Sequence, residues 1–213
     1  VTRDRLCRAL NVFVAAAGLI IAAPLLLVIA AMIKATSPGP VIYRQPRVGL
    51  DRRSSRGGSG AHSRRRADAG GRIFTIYKFR TMRSDLGGSQ IWSSKHDPRV
   101  TTIGKVLRAT RLDEVPQLYN VLRGDMNIVG PRPEQPEIFQ DLSEKIVNYR
   151  DRQRVLPGIT GLAQVNLGYD ATLEDVRKKV ALDLQYIERR SASEDLMIMA
   201  KTMPVMVFQK VWM

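Results

Sequence analysis

The chain has one cysteine, Cys7, so no internal disulfide framework can staple it, and its fold must rest on packing. It has two histidines, His62 and His96, both in polar surroundings, and no Cys/His cluster at metal-ligand spacing. No Ser/His/Asp or Cys/His set suited to nucleophilic catalysis can be read from it. Acidic residues are also scarce: 20 Asp and Glu stand against 34 Lys and Arg, a net charge of +14. That surplus implies an anionic partner: nucleic acid, a lipid surface or a phosphorylated substrate. The 213 residues fit one domain with an appendage and can bury a sizeable core.

Charge is missing altogether from Val12 to Ile33. At roughly 1.5 Å per residue such a helix reaches across a bilayer's hydrocarbon core. A cleaved signal fits poorly, because the run is too long and no small-residue cleavage site follows. Pro24 lies mid-run, where it removes a hydrogen bond and favours a bend. Arg3, Arg5 and Arg8 precede the run, and Lys34, Arg44 and Arg47 follow it. Positive flanks prefer the cytoplasmic side, so a straight span satisfies one flank and a helix-break-helix hairpin at Pro24 satisfies both.

Apolar residues are nearly absent from Asp51 to Gly71, which is rich in arginine, glycine and serine. This reads as a flexible insertion between two short strands, Val41 to Tyr43 and Ile73 to Tyr77. Its arginines suit anionic lipid head groups or open solvent equally. RNA binding is a weaker fit, since the segment has no aromatic residue for base stacking.

What is present in quantity is chemistry between Arg108 and Glu134. Asp113 and Glu114 are adjacent, lie between arginines and precede a helix whose apolar positions are Leu112, Val115, Leu118, Tyr119 and Leu122. Pro116 places the helix start near the acids. Taken alone, the pair reads as a Thr110/Asp113 cap with Glu114 complementing the helix dipole. The rival reading is a magnesium–phosphate site. Strand alternation puts Lys78 and Arg80 on one face, where two cations call for an anion between them. Gly130-Pro-Arg-Pro-Glu134 must be a rigid turn, aiming Arg132 at the acids or into solvent.

The motifs around the acid pair settle that choice. Ser37-Pro-Gly-Pro-Val-Ile-Tyr-Arg-Gln45 with Arg47-Val-Gly49, then Phe74-Thr-Ile-Tyr-Lys-Phe-Arg-Thr-Met82, Asp97-Pro-Arg-Val-Thr101, the acid segment and Pro157-Gly-Ile-Thr-Gly-Leu-Ala-Gln-Val-Asn166 follow one another in order. Together they resemble the bacterial sugar transferases, monotopic polyprenyl-phosphate phosphoglycosyl transferases.

The resemblance implies an α+β protein. A re-entrant membrane anchor (1–36) would lead into a small cytoplasmic catalytic domain of helices and short strands (37–195) with interfacial helices. It implies transfer of a sugar-1-phosphate from a nucleotide sugar, UDP-linked by expectation, to polyprenyl (undecaprenyl) phosphate, releasing UMP. Such a step initiates an exopolysaccharide, capsule, O-antigen or related glycan. Asp113 would be the nucleophile and Glu114 would help hold Mg2+, while Lys78, Arg80, Arg108 and Arg132 would bind substrate phosphates. Asp183, in a Leu-Asp-x-x-Tyr element with Tyr186, would steady an active-site arginine. Expected partners are the donor, the lipid acceptor and inner-membrane lipids on the cytoplasmic face, and not nucleic acid; a homodimer is left open.

Two departures stand out. Many relatives break the membrane helix at Ser-Pro, where this chain has Ala23-Pro24, and many continue Asn-Gly-Arg where it has Asn166-Leu-Gly. Downstream, Thr172-Leu-Glu-Asp-Val opens a capped helix running to Arg190. A short strand is expected at Leu162 to Val165. The tail, 196–213, reads as an interfacial amphipathic helix kinked or restarted at Pro204. Two rivals remain: a membrane-tethered basic module that recruits nucleic acid or acidic proteins, and a glycosyl transferase that moves the sugar alone.

Overall fold

The computed structural model describes residues 2–51, 70–83, 97–168 and 172–208. Most of the arginine-rich insertion, both histidines and the last five residues lie outside them, as do the expectations placed there.

Helix α1 (Thr2–Thr36) is unbroken, with Pro24 inside it. The expected helix-break-helix is not shown by this continuous run. Proline withholds a single N–H, which would have met the carbonyl of Ile20, and the flanking alanines and leucines carry the helix onward. Its buried residues, Cys7, Asn11, Ala15, Ile29 and Ile33, fall on one face at helical spacing. The opposite face is apolar and bare: Ile20 and Ile21 are 75% and 78% exposed, and Phe13, Leu27 and Val28 are exposed as well.

Beyond α1, strands β1 (Ile42–Val48) and β2 (Ile73–Phe79) form an antiparallel ribbon, paired from Ile42↔Phe79 to Val48↔Ile73. Helices α2 (Thr102–Ala109) and α3 (Gln117–Arg123) flank a 3-10 turn, Leu112–Glu114. Strand β3 (Asn127–Val129) pairs in parallel with β4 (Gly158–Thr160), the two being separated by α4 (Pro136–Lys145) and a 3-10 turn, Tyr149–Arg154. Side chains are excluded where this pair is tightest: a Cβ on Gly158 would lie 2.1 Å from the Gly130 nitrogen. Leu162–Asn166, expected as a strand, is a short helix, α5. The parallel pairing ends at Thr160, so the residues beyond it have no strand partner and take up intrahelical bonds instead.

Helix α6 (Leu173–Arg189) begins with the expected cap: Thr172 and Asp175 bond each other's backbone N–H reciprocally. Helix α7 (Ala192–Phe208) starts earlier than expected and passes through Pro204 without restarting. The chain is thus α+β. Three apolar clusters hold it together, and α1 enters two of them: Ala15 joins Phe74, Ile76, Val121, Met126 and Tyr186, while Ile29 and Ile33 join Phe79 and Leu107.

Polar bonds fix the N-terminal half of α1. The Asn11 carbonyl accepts from the N–H groups of Ile128 (2.6 Å) and Val129 (3.3 Å), and its amide donates to Asp195 (2.9 Å). Asp195 also accepts from the Tyr186 hydroxyl at 2.7 Å. Arg8 donates to the carbonyls of Val121 and Met126, covering the free end of α3. Replacing Asn11 by leucine would strand two buried N–H groups and part of a buried carboxylate. Asn11→Leu should lose about 2–4 kcal/mol of stability. An unchanged melting temperature of the detergent-solubilised variant would refute the docking role of Asn11.

Candidate functional site

The acid pair is set by a backbone reversal between α2 and α3. Arg111 adopts a left-handed conformation (φ 58°), uncommon for a residue with a side chain, and turns the chain into the 3-10 turn that carries Asp113 and Glu114. Both acids are buried. Neither is a cap. The Thr110 hydroxyl donates back to the carbonyls of Val106 and Leu107, and α3 starts after Pro116 without a side-chain cap. The Thr110/Asp113 capping pair that the isolated segment suggests is not formed. The apolar positions of α3 also divide differently from expectation: Leu118 and Val121 pack inward, whereas Tyr119 and Leu122 are exposed.

Around the acids stand cations from separate segments. Oε1 of Glu114 accepts from Lys78 Nζ at 2.7 Å and from Arg132 Nη2 at 2.9 Å. Lys78 comes from strand β2, one residue before its end, and Arg132 from the Gly130–Glu134 loop, where it meets the acids rather than solvent alone. Arg108 donates through Nε to the Thr81 hydroxyl at 3.0 Å and acts electrostatically on Asp113. Arg111 acts on both acids. Among the described residues, Oε2 of Glu114 and both carboxylate oxygens of Asp113 accept no hydrogen bond.

This asymmetry separates the two acids chemically. Burial, then the neighbouring Glu114 charge, push the Asp113 carboxyl up to about 6 against the pull of Lys78, Arg108 and Arg111. Burial would also raise Glu114, but Arg132 and Lys78 hold it well below the usual carboxylate range. At neutral pH Glu114 is a carboxylate locked in ion pairs, and Asp113 is mostly ionised with no hydrogen-bonded partner among the described residues.

The loop carrying Arg132 is itself clamped. Arg152 donates to the Arg132 carbonyl (3.1 Å), to the Tyr149 hydroxyl (2.8 Å) and, through Nε, to Asp183 (2.7 Å). Asp183 therefore steadies an arginine that sits behind the site. Arg47 completes the wall: it donates to the Pro133 carbonyl and to Gln45, and it senses Glu134, Arg132 and Glu114.

One expected residue does not come together with the rest. Arg80 is buried and donates to the carbonyls of Ser37 and Pro38 and to the Ser37 hydroxyl, fastening the chain just after α1. Strand alternation stops at Phe79, so Arg80 does not follow Lys78 to the acids. Arg47, Arg111 and Arg152 were not singled out from sequence. Arg47 was within reach, since residues 45 and 47 alternate with Tyr43, the cross-strand partner of Lys78, onto the ribbon face that Lys78 shares. Arg111 and Arg152 depend on a left-handed turn and a 3-10 turn that no periodicity announces.

The sequence profile of the bacterial sugar transferases matches residues 2–209. The chain is 41% identical over 200 residues to a UDP-glucose:undecaprenyl-phosphate glucose-1-phosphate transferase of Caulobacter vibrioides, covering 92% of this chain and 68% of that protein. It is 40% identical over 197 residues to a UDP-N-acetylgalactosamine-undecaprenyl-phosphate N-acetylgalactosaminephosphotransferase of Aeromonas hydrophila, covering 92% of this chain but 42% of that one. A Rhizobium leguminosarum exopolysaccharide production protein is 37% identical, with 92% of each chain covered. The chain thus spans less than half the length of the Aeromonas protein.

The raised Asp113 pKa fixes a pH signature. Folding lifts this acid from 3.8 to about 6, so its charge destabilises the fold fully above pH 6, and the penalty fades as pH falls from about 6 to about 4. Asp113→Asn should therefore be more stable than wild type above pH 6, by about 1–3 kcal/mol, with the gap closing at pH 4. Thermal unfolding across that range checks it. An Asn variant weaker than wild type at every pH would restore the capping role.

Proposed function

The chain belongs to the bacterial sugar transferase family, and from that premise we propose that it moves a sugar-1-phosphate from a nucleotide sugar to polyprenyl phosphate. The observation that carries the reading is the Asp113 carboxylate, without a hydrogen-bond partner among the described residues, beside an ion-paired Glu114 and ringed by Lys78, Arg108, Arg111, Arg132 and Arg47. A site with more cations than carboxylates suits a diphosphate, whose transfer depends on charge neutralisation and positioning.

The steps follow from the uneven state of the two acids. An Asp113 oxygen attacks the sugar-bearing phosphorus of a UDP-sugar. The bond from that phosphorus to the bridging oxygen breaks, and UMP leaves with the electron pair. An aspartyl phosphosugar remains on the enzyme. A phosphate oxygen of the polyprenyl acceptor then attacks the same phosphorus, giving polyprenyl diphosphate sugar and restoring the Asp113 carboxylate. Lys78 and Arg132, already aimed at one point through Glu114, orient the phosphates, and Arg108 and Arg111 counter the charge on the side of Asp113. Arg152 acts behind them by fixing the Arg132 backbone.

A magnesium ion fits the donors present. No cluster of three or more ligating side chains occurs among the described residues, but magnesium commonly takes one or two carboxylates and completes its shell with phosphates and water. Glu114 Oε2 and Asp113 would hold it. When bound, it supplies charge stabilisation for the diphosphate and the leaving group.

The anchoring of α1 supports a monotopic arrangement. Cys7, Asn11 and Ala15 near one end and Ile29 and Ile33 near the other are all buried against the same body. A straight span would put these ends on opposite sides of a bilayer and drag a polar body into it. Insertion from one leaflet leaves both ends in the cytoplasm, with the bare outer face in lipid. The product would start a surface polysaccharide or related glycan.

Three outcomes follow. Purified protein given a panel of UDP-sugars with undecaprenyl phosphate should release UMP, whereas release of UDP would point to transfer of the sugar alone. Asp113→Asn should lose turnover while staying folded, and Glu114→Gln should fall by about 10²-fold or more; substantial activity in Asp113→Asn would end the mechanism. Cysteines placed at residues 3 and 38 should both label from the cytoplasmic side only. Periplasmic labelling of either site would show a spanning helix.

A further inference from the structure

A second cationic cluster lies on the ribbon face turned away from the acids. Arg44 of β1 sits over the ring of Tyr77, its cross-strand partner on β2, at 5.9 Å. Tyr77 meets Tyr119 of α3 edge to face, with ring centroids 5.6 Å apart. Arg123 lies over the Tyr119 ring at 5.9 Å and donates to the Tyr77 hydroxyl at 3.1 Å. Tyr119 is 52% exposed, and Arg44 and Arg123 are exposed with it. The cluster bears two positive charges. Asp125, 3.4 Å from Arg123, is the one carboxylate paired with it among the described residues. Lys78, next to Tyr77, points to the opposite face and Glu114, so the cluster is no part of the acid site.

Its place beside α1 gives it meaning. On the same ribbon face, the neighbouring cross-strand pair Ile42 and Phe79 joins the apolar cluster of Ile29 and Ile33 of α1. On the other side, Leu118, adjacent to Tyr119, closes on Gly18 of α1, where an added Cβ would lie 3.2 Å from its Cδ1. The cluster thus flanks α1 between Gly18 and Ile29, alongside exposed Ile20, Ile21, Leu25 and Leu27. An apolar surface bordered by tyrosine rings and then by guanidinium groups matches the order of a bilayer: acyl chain, interface, phosphate.

We propose that Arg44, Tyr77, Tyr119 and Arg123 form a head-group surface for anionic phospholipid, which seats the body beside the inserted α1; this rests on the membrane reading of α1 given above. The tyrosine rings lie at the interfacial level. Stacking leaves guanidinium N–H groups for lipid phosphate, those of Arg44 and, on Arg123, the ones not given to the Tyr77 hydroxyl and Asp125. Stacked arginine and tyrosine would also suit single-stranded RNA. The bordering apolar face of α1 favours lipid.

The test is native mass spectrometry of the full chain in detergent with equal phosphatidylglycerol and phosphatidylcholine. Wild type should retain phosphatidylglycerol preferentially. The preference should fall roughly fivefold for each arginine removed in Arg44→Gln/Arg123→Gln, and should be unchanged in the charge-matched control Arg177→Gln/Lys178→Gln on α6. Arg44→Gln alone gives up a single stacking contact, so a fivefold loss at unchanged melting temperature supports the proposal even if the double variant misfolds. Equal preference in wild type and the arginine variants would overturn it. So would a short RNA that displaces phosphatidylglycerol from wild type and fails to bind the double variant. The readout needs neither donor nor turnover, so it succeeds or fails independently of the phosphoglycosyl reaction.

Discussion

One carboxylate oxygen, Oε1 of Glu114, joins the segments on which the site depends. It accepts from Lys78 at the end of the ribbon and from Arg132 in the Gly130–Glu134 loop, while the 3-10 turn holds its own backbone. A buried carboxylate is costly unless paired, and two partners in bonding geometry satisfy it. The same pairing leaves the next residue different. Asp113 shares the burial and much of the field, but it has no hydrogen-bonded partner among the described residues and feels the charge of Glu114. Adjacency in sequence becomes a division of labour through environment alone: one acid organises cations, and the other keeps a free, raised-pKa carboxylate.

The long helix is coupled to that arrangement. Asn11 bonds the backbone of β3, and β3 runs directly into the loop that aims Arg132. Asp195 and Tyr186 close the network from α7 and α6, with the Tyr186 hydroxyl also reaching the Val129 carbonyl. From the far side, Asp183 and Arg152 fix the same loop. The arginine that meets Glu114 is therefore held by α1 on one side and α6 on the other. A helix whose outer face is apolar thus takes part, through one asparagine, in placing the cation that pairs with Glu114.

Much of this was legible in the sequence where a local rule decides the outcome. The charge-free run gave α1, Thr172 with Asp175 gave the start of α6, and the prolines of Gly130–Glu134 gave a rigid loop with Arg132 at its tip. Legibility failed where a long-range partner overrode the local rule. Helix α1 continues through Pro24, because the loss of one hydrogen bond is small against a helix packed along its length. Residues 162–166 became helix because β3 offers no pairing beyond Thr160. Arg80 was drawn to the carbonyls of Ser37 and Pro38 rather than to the acids. Arg47 and Arg152, from the ribbon and a 3-10 turn, reach the site only once the chain is folded. The motifs located the acids, but the tertiary contacts decided which cations serve them.

The central claim is that Asp113 carries the phosphosugar between donor and acceptor. The direct measurement is intact-protein and peptide mass spectrometry after mixing enzyme, Mg2+ and its UDP-sugar without polyprenyl phosphate. The account predicts UMP release of at most one per active site and a hexose-phosphate adduct on the peptide holding Asp113. That adduct should disappear when polyprenyl phosphate is added. Turnover with acceptor present, but neither adduct nor UMP burst in its absence, would show direct transfer between substrates and contradict the covalent role of Asp113.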